Sequence, residues 1–262
     1  MTRLAGVVLG VPEPAATAGF LRDALSFAVA EADGVWTASC EGDYGARGQA
    51  AIELRAAEAL ELVEVVFEVD DSHDLDSPAL ADPAGNRLAF VRASERESEP
   101  PSYDPLRPRR LGHVNLKAPD PPATAAFYAD VLGLRLSEQI GENLYFLRLA
   151  TEHHNVALRP GARGELHHLG FEVAGWQVYQ PILDRLADLG LRVEYGPGRH
   201  GPGRNLFAYV CDPSSGLRIE LFADMAQIPD ETSYEPIRWE AGDRLTKTIN
   251  RWGPPPPQSF LE

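Results

Sequence analysis

The stretch LGHVNLKAPDPPATAAFYADVL, Leu111 to Leu132, decides the fold, because the chain carries it twice. It lines up without a gap on LAGVVLGVPEPAATAGFLRDAL, Leu4 to Leu25, sharing Pro12/Pro119, Thr17/Thr124, Phe20/Phe127, Asp23/Asp130 and Leu25/Leu132. Further on, Phe67-Glu68-Val69 matches Phe171-Glu172-Val173. DPAGNRLAFV from Asp82 matches DPSSGLRIELF from Asp212, with one residue inserted in the second copy. Self-similarity of this kind marks a tandem duplication. Between the copies runs ASERESEPPSYDPLRPR, 93–109, a charged and proline-rich segment without apolar period, which reads as a linker.

Each copy resolves into a repeating unit. Leu111 to Leu116 reads as a strand; Asp120 is placed to cap a helix, Pro121 and Pro122 suit its first turn, and Gly133 is placed to end it. Leu134 to Gln139, Leu144 to Leu149 and Asn155 to Arg159 then read as three strands. The pattern restarts with a strand at His167 to Val173, a helix face of Ile182, Leu183, Leu186 and Leu189 closed by Gly190, and strands at Leu191 to Tyr195, Leu206 to Cys211 and Arg218 to Phe222. The expected class is α+β. Tandem βαβββ modules, four in all, pair into two barrel-like domains whose eight-stranded sheets curl around a cavity. The expected division is 1–95 for a degenerate first domain, 96–109 for the linker, 110–225 for the working domain and 226–262 for a tail. That tail holds Trp239, Trp252 and the run Pro254 to Pro257, and is expected to pack over the barrel or a neighbouring subunit.

Composition narrows the function. The 262 residues carry 39 Asp+Glu against 24 Lys+Arg, a net charge of −15 that disfavours a nucleic-acid partner. No apolar run is long enough to span a bilayer, and the short apolar stretch Leu4 to Val11 lacks a cleavage pattern, so neither membrane nor secretion is expected. Two widely separated cysteines, Cys40 and Cys211, suit buried thiols in a reducing cytoplasm. Of the seven histidines His73 stands alone, whereas His113, His153, His154, His167, His168 and His200 cluster in the second copy.

Three residues occupy equivalent module positions: His113 and His168 on the first strands of modules three and four, and Glu220 on the last strand of module four. Two imidazoles and a carboxylate on facing strands form the set that holds a divalent first-row metal on one face. The first copy serves as an internal control, with Gly6, Glu64 and Ala89 at the corresponding places, so only the second is expected to bind metal. His154 in HHNVAL, His200 in GPGRHGPG and Tyr209 on a strand are candidates for proton transfer beside that metal. Strand alternation turns His153 and His167 away, and both are expected to be structural.

These motifs resemble the type I extradiol ring-cleavage dioxygenases of the vicinal oxygen chelate superfamily, the glyoxalase-like fold that includes catechol 2,3-dioxygenases and homoprotocatechuate 2,3-dioxygenases. GHVNL resembles the strand of the first ligand, HHLGFEV that of the second, and GPGRHG followed by Tyr209 and DPSSGLRIELF the closing motif with its glutamate. The resemblance implies His113, His168 and Glu220 as ligands of Fe(II), with Mn(II) as the other choice. It implies a small catechol and O2 as substrates, cleavage of the ring beside the diol, and a homo-oligomer. By the same resemblance His154 faces dioxygen, His200 and Tyr209 contact the substrate oxygens, and Asn115 and Tyr195 fall at substrate or supporting positions. Tyr195 stands where members acting on carboxylated catechols carry a basic residue. Two other readings stay open: a non-redox metal enzyme of the same fold, an isomerase or transferase, and a metal-free protein that sequesters an aromatic natural product.

Overall fold

The computed structural model describes residues 3–41, 50–69, 79–92 and 103–261; His73 and 96–102 of the expected linker lie outside them. The first half runs β1 (Arg3–Val11), α1 (Pro14–Leu25), β2 (Ala28–Ala32), β3 (Val35–Ser39), β4 (Ile52–Ala56), β5 (Glu61–Val69), β6 (Ala79–Ala81) and β7 (Arg87–Arg92). The second runs β8 (Arg110–Ala118), α2 (Pro121–Leu132), β9 (Arg135–Ile140), β10 (Leu144–Arg148), β11 (Val156–Pro160), β12 (Glu165–Glu172), α3 (Tyr179–Asp188), β13 (Val193–Arg199), β14 (Leu206–Cys211) and β15 (Arg218–Ala223). The tail adds β16 (Ile237–Trp239) and a short α4 (Gln258–Leu261). Among the described residues no helix is long and apolar enough to cross a membrane.

The helices start and stop where their local chemistry dictates. The Asp120 carboxylate accepts from the Ala123 N–H at 3.0 Å, two prolines fill the first turn, and Gly133 at φ 66° ends α2 by sending its N–H back to Ala129 and Tyr128. Each helix is also tied to the other half of the chain. The Tyr128 hydroxyl of α2 donates to Asp82 at 3.1 Å, and the Thr17 hydroxyl of α1 donates to Asp212 at 2.7 Å, so the Asp-Pro turn of each copy receives the helix of the other. The two copies share one apolar core in which Phe27 meets Phe171 edge-on.

The first sheet has the order β2-β3-β4-β1-β5-β7-β6 and the second β13-β14-β15-β12-β8-β11-β10-β9-β16. Among the described residues the sheets therefore have seven and nine strands, where eight each were expected. Module two shows β5, β6 and β7, and only residues 70–78 separate β5 from β6, too few for a ten-residue helix and a seven-residue strand such as α3 and β13. The second sheet instead gains β16, which pairs parallel with β9 and covers an edge that would otherwise be open.

Register makes the duplication exact enough to compare residue by residue. In the second sheet His113 lies opposite Gly170, and Gly170 beside Glu220. In the first, Gly6 lies opposite Val66, and Val66 beside Ala89. The positions of His113 and Glu220 are thus held by Gly6 and Ala89, which carry no ligand atom, while Glu64, two residues before Val66, is ion-paired with Arg87.

Candidate metal centre

β8, β12 and β15 are adjacent in the sheet, so His113, His168 and Glu220 need no loop to bring them together. Their ligand atoms form a near-equilateral triangle. His113 Nε2 is 3.3 Å from His168 Nε2 and 3.1 Å from Glu220 Oε2, and His168 Nε2 is 3.1 Å from the same oxygen. All three side chains are buried, and among the described residues they are the group able to hold a metal ion. Ligand atoms roughly 2.1 Å from a metal stand about 3.0 Å apart at right angles and about 3.4 Å apart in a tetrahedron. The triangle fits either geometry and leaves the cavity side open.

Glycine makes this approach possible. A Cβ on Gly170 would sit 2.0 Å from His113 Cε1 and 2.3 Å from its Nε2, and one on Gly112 would sit 2.3 Å from the Phe222 ring. Gly170→Ala is therefore expected to push the His113 ring off the triangle and weaken metal binding at least tenfold, a loss that isothermal titration with Mn(II) would read directly. Retention of the parent affinity would mean the strands can part without moving the ring.

Electrostatics prepares the three groups for a cation. Burial drives the Glu220 carboxyl upward, but His113 together with hydrogen bonds from His113, His168 and His200 outweighs it and holds the group well below the usual range. Burial lowers His168 to about 4 despite its bond to Glu220, so its imidazole is neutral at pH 7. A neutral imidazole and an ionised carboxylate are the forms that bind metal.

Around the triangle lies a cavity with polar and apolar sides. The Tyr209 hydroxyl donates to Glu220 Oε2 at 2.7 Å and lies 3.0 Å from His200 Nε2. Its ionisation is pushed well up by burial and then by the Glu220 charge, so it remains a phenol. The His200 ring is steered by a bond from Nδ1 to the Ile249 carbonyl and lies flat on Phe207, with centroids 4.0 Å apart. His154 lines the opposite side, its ring 4.6 Å from that of His113 and 5.1 Å from that of Phe146. Asn115 also faces the cavity, and its Oδ1 is buried without a hydrogen bond. Ile140, Leu144, Ile249 and Phe260 supply the apolar wall.

Tyr195, expected at a substrate or supporting position, lies behind Tyr209 and off the cavity wall: it stacks against that ring with centroids 6.2 Å apart and donates its hydroxyl to the Pro254 carbonyl at 3.0 Å. His153 and His167, expected to be structural, lie directly behind the site. His167 Nδ1 is 2.7 Å from His168 Nδ1, and His153 Nδ1 is 2.9 Å from His154 Nδ1. Sequence reasoning missed Asn205, whose amide donates to Glu220 Oε1 at 2.9 Å, and Phe260, whose carbonyl meets His167 Nε2 at 2.8 Å. Only their nearness to GRHG and to the chain end, respectively, could have drawn attention to them.

Residues 110–221 match the family model of the Glyoxalase/Bleomycin resistance protein/Dioxygenase superfamily. The chain is 34% identical over 206 residues, 76% of its length, to metapyrocatechase 2 of Cupriavidus necator, of which it spans 60%. By structure it is similar to homoprotocatechuate 2,3-dioxygenase of Arthrobacter globiformis, with a TM-score of 0.86 and 22% identity, covering 99% of this chain and 90% of that one. It is also similar to a Mn(II)-bound glyoxalase from Novosphingobium aromaticivorans, with a TM-score of 0.83 and 20% identity, covering 99% and 94%. The last two share the fold and carry different names, so fold alone does not choose the chemistry.

Proposed function

We propose that the protein is an Fe(II)-dependent extradiol dioxygenase that opens the aromatic ring of a catechol beside its vicinal diol, with both atoms of O2 entering the product. The observation that carries this reading is the joining of the His113–His168–Glu220 triangle to His154, His200 and Tyr209 in one cavity. The identity to metapyrocatechase 2 supports it over an isomerase or transferase. A buried carboxylate and four imidazoles, those of His113, His154, His168 and His200, make a poor pocket for metal-free capture of an apolar molecule.

A divalent iron held by His113, His168 and Glu220 would supply Lewis acidity toward the diol oxygens and an electron path to O2. With two neutral imidazoles and one carboxylate around a 2+ ion, the site has a net charge of about +1 and suits a catecholate anion. Tyr209 and His200, 3.0 Å apart, hold and pass a proton at the diol oxygen nearest Glu220. His154 handles a proton on the side where O2 is reduced. Ile140, Leu144, Phe146 and Phe260 exclude water and seat the ring. The same reading divides the chain into a metal-free domain, 1–95, a catalytic domain, 110–225, and a covering tail, 226–262. It includes a cytoplasmic homo-oligomer, consistent with two cysteine thiols and with the exposed Trp176 and Trp252 rings 6.0 Å apart on one face.

Anaerobic loading with Fe(II), and separately with Mn(II), followed by a panel of catechols in air, tests the proposal. A yellow near-visible product formed with stoichiometric oxygen uptake is expected. Metal bound without response to any diol would favour the non-redox reading.

A further inference from the structure

Behind His154 lies a buried carboxylate that the proposed reaction leaves without a role. Glu138 on β9 is 5% exposed, and its Oε2 accepts from Trp239 Nε1 at 2.6 Å. Its Oε1 is 3.2 Å from Nε2 of His153, itself 1% exposed; the two face each other as a close polar pair outside hydrogen-bond alignment, and that buried nitrogen makes no hydrogen bond. The other nitrogen of His153, Nδ1, meets His154 Nδ1 at 2.9 Å. Glu138, His153 and His154 therefore form a line from the β9/β16 edge to the cavity. The rings of His153 and His154 stand perpendicular at 89°, and both pack on Phe146.

We infer that Glu138 and His153 are positioning residues that fix the tautomer of His154, so that its Nδ1 carries the hydrogen and its Nε2 presents a lone pair to the cavity. A neutral imidazole has one donor and one acceptor nitrogen. If His153 Nε2 were the acceptor, its lone pair would face the lone pairs of a carboxylate in a buried place, which is repulsive. With the Glu138 carboxylate 3.2 Å away, Nε2 therefore carries the hydrogen, and Nδ1 accepts. An Nδ1–Nδ1 contact needs one donor, and His154 supplies it. A carboxylate behind a histidine behind a functional histidine orients the last one as outer partners orient metal-bound imidazoles, whose loss costs about 10–100-fold in affinity or activity. The inference rests on the role proposed for His154, and it gives that role a direction: the resting residue accepts a hydrogen from what lies in the cavity before it can return one.

Trp239 makes a clean test. In Glu138→Gln the side-chain oxygen must take the Trp239 N–H, which turns the amide NH2 toward His153 Nε2 and makes that nitrogen the acceptor. His153 then donates from Nδ1, and His154 is forced into the Nε2–H form. Long-range proton–nitrogen NMR of the Zn(II)-loaded protein, with ring-labelled histidine and His154 assigned by its Asn variant, reads the tautomer directly. The parent is expected as Nδ1–H and Glu138→Gln as Nε2–H, with metal content unchanged. With Fe(II), kcat of Glu138→Gln is expected to fall about tenfold or more while KM stays within about threefold. A parent His154 already in the Nε2–H form, as an imidazolium at His153 would require, overturns the inference and needs no variant. An unswitched Glu138→Gln overturns it too, and a switched tautomer at full kcat severs it from the reaction. If the parent turns over no catechol, the proposed function falls while the tautomer result stands on its own.

Discussion

Replacing Glu220 or His168 by Ala is expected to abolish metal binding and catechol turnover together, the largest effect of any single change in this protein. Either substitution removes one corner of a triangle whose atoms stand 3.1 to 3.3 Å apart and leaves two ligands, too few for a stable first-row site. Dialysed variants should hold less than about a tenth of the parent's metal content by elemental analysis, and oxygen uptake should be at background. The two variants should differ in stability. Glu220 accepts from the Tyr209 hydroxyl and the Asn205 amide, so its removal takes the charged acceptor from two buried donors, at about 1–3 kcal/mol each. His168→Ala also loses the contacts with Glu220 and His167 Nδ1, but it leaves Glu220 its Tyr209 and Asn205 donors and should melt closer to the parent. Metal content equal to the parent in either variant would refute the ligand assignment outright.

What made the triangle readable in sequence was duplication. Two copies in the same register turn a comparison of Gly6 with His113 and of Ala89 with Glu220 into a comparison of identical places in two sheets. The strand positions followed from apolar pattern, and the helix ends from Asp120 and Gly133, because those signals act over a few residues. The site's outer layer was not readable, for physical reasons that differ by residue. His153 lies in the irregular segment between β10 and β11, so strand alternation does not govern its direction, and its backbone N–H bonds to the Ala226 carbonyl from the far end of the domain. His167 does turn away from the cavity, but the register shift between Leu166 and His168 lets its Nδ1 stay on its neighbour's ring. Tyr195 lies opposite Tyr209 just before another shift, so it stacks on that ring instead of reaching the cavity. Between β5 and β6 module two has only residues 70–78, where module four holds α3 and β13. A repeat comparison shows what matches and is silent on how little chain remains between the matches.

His154→Phe is expected to keep the metal and lose most of the chemistry. The ring at this position makes no hydrogen bond to His113, His168 or Glu220; it touches the triangle through packing against His113 at 4.6 Å. A phenyl group conserves that packing and the edge-on contact with Phe146, so the fold and the metal affinity should change little. What disappears is a nitrogen whose state the site controls closely. Burial above all presses its ionisation well below the ordinary histidine range, so at pH 7 the parent residue is a neutral imidazole able to accept a proton as one is released and return it as another is needed. Removing a group with that role costs typically about 10²–10⁴-fold in rate. The variant should therefore bind Fe(II) and a catechol with near-parent affinity while kcat falls by at least about a hundredfold, measured by oxygen uptake at saturating substrate. His154→Asn, which restores one polar atom but no second nitrogen to hand a proton through, should recover little of the loss. Full turnover in His154→Phe would remove the residue from the reaction and leave Tyr209 and His200 to carry every proton step on their own.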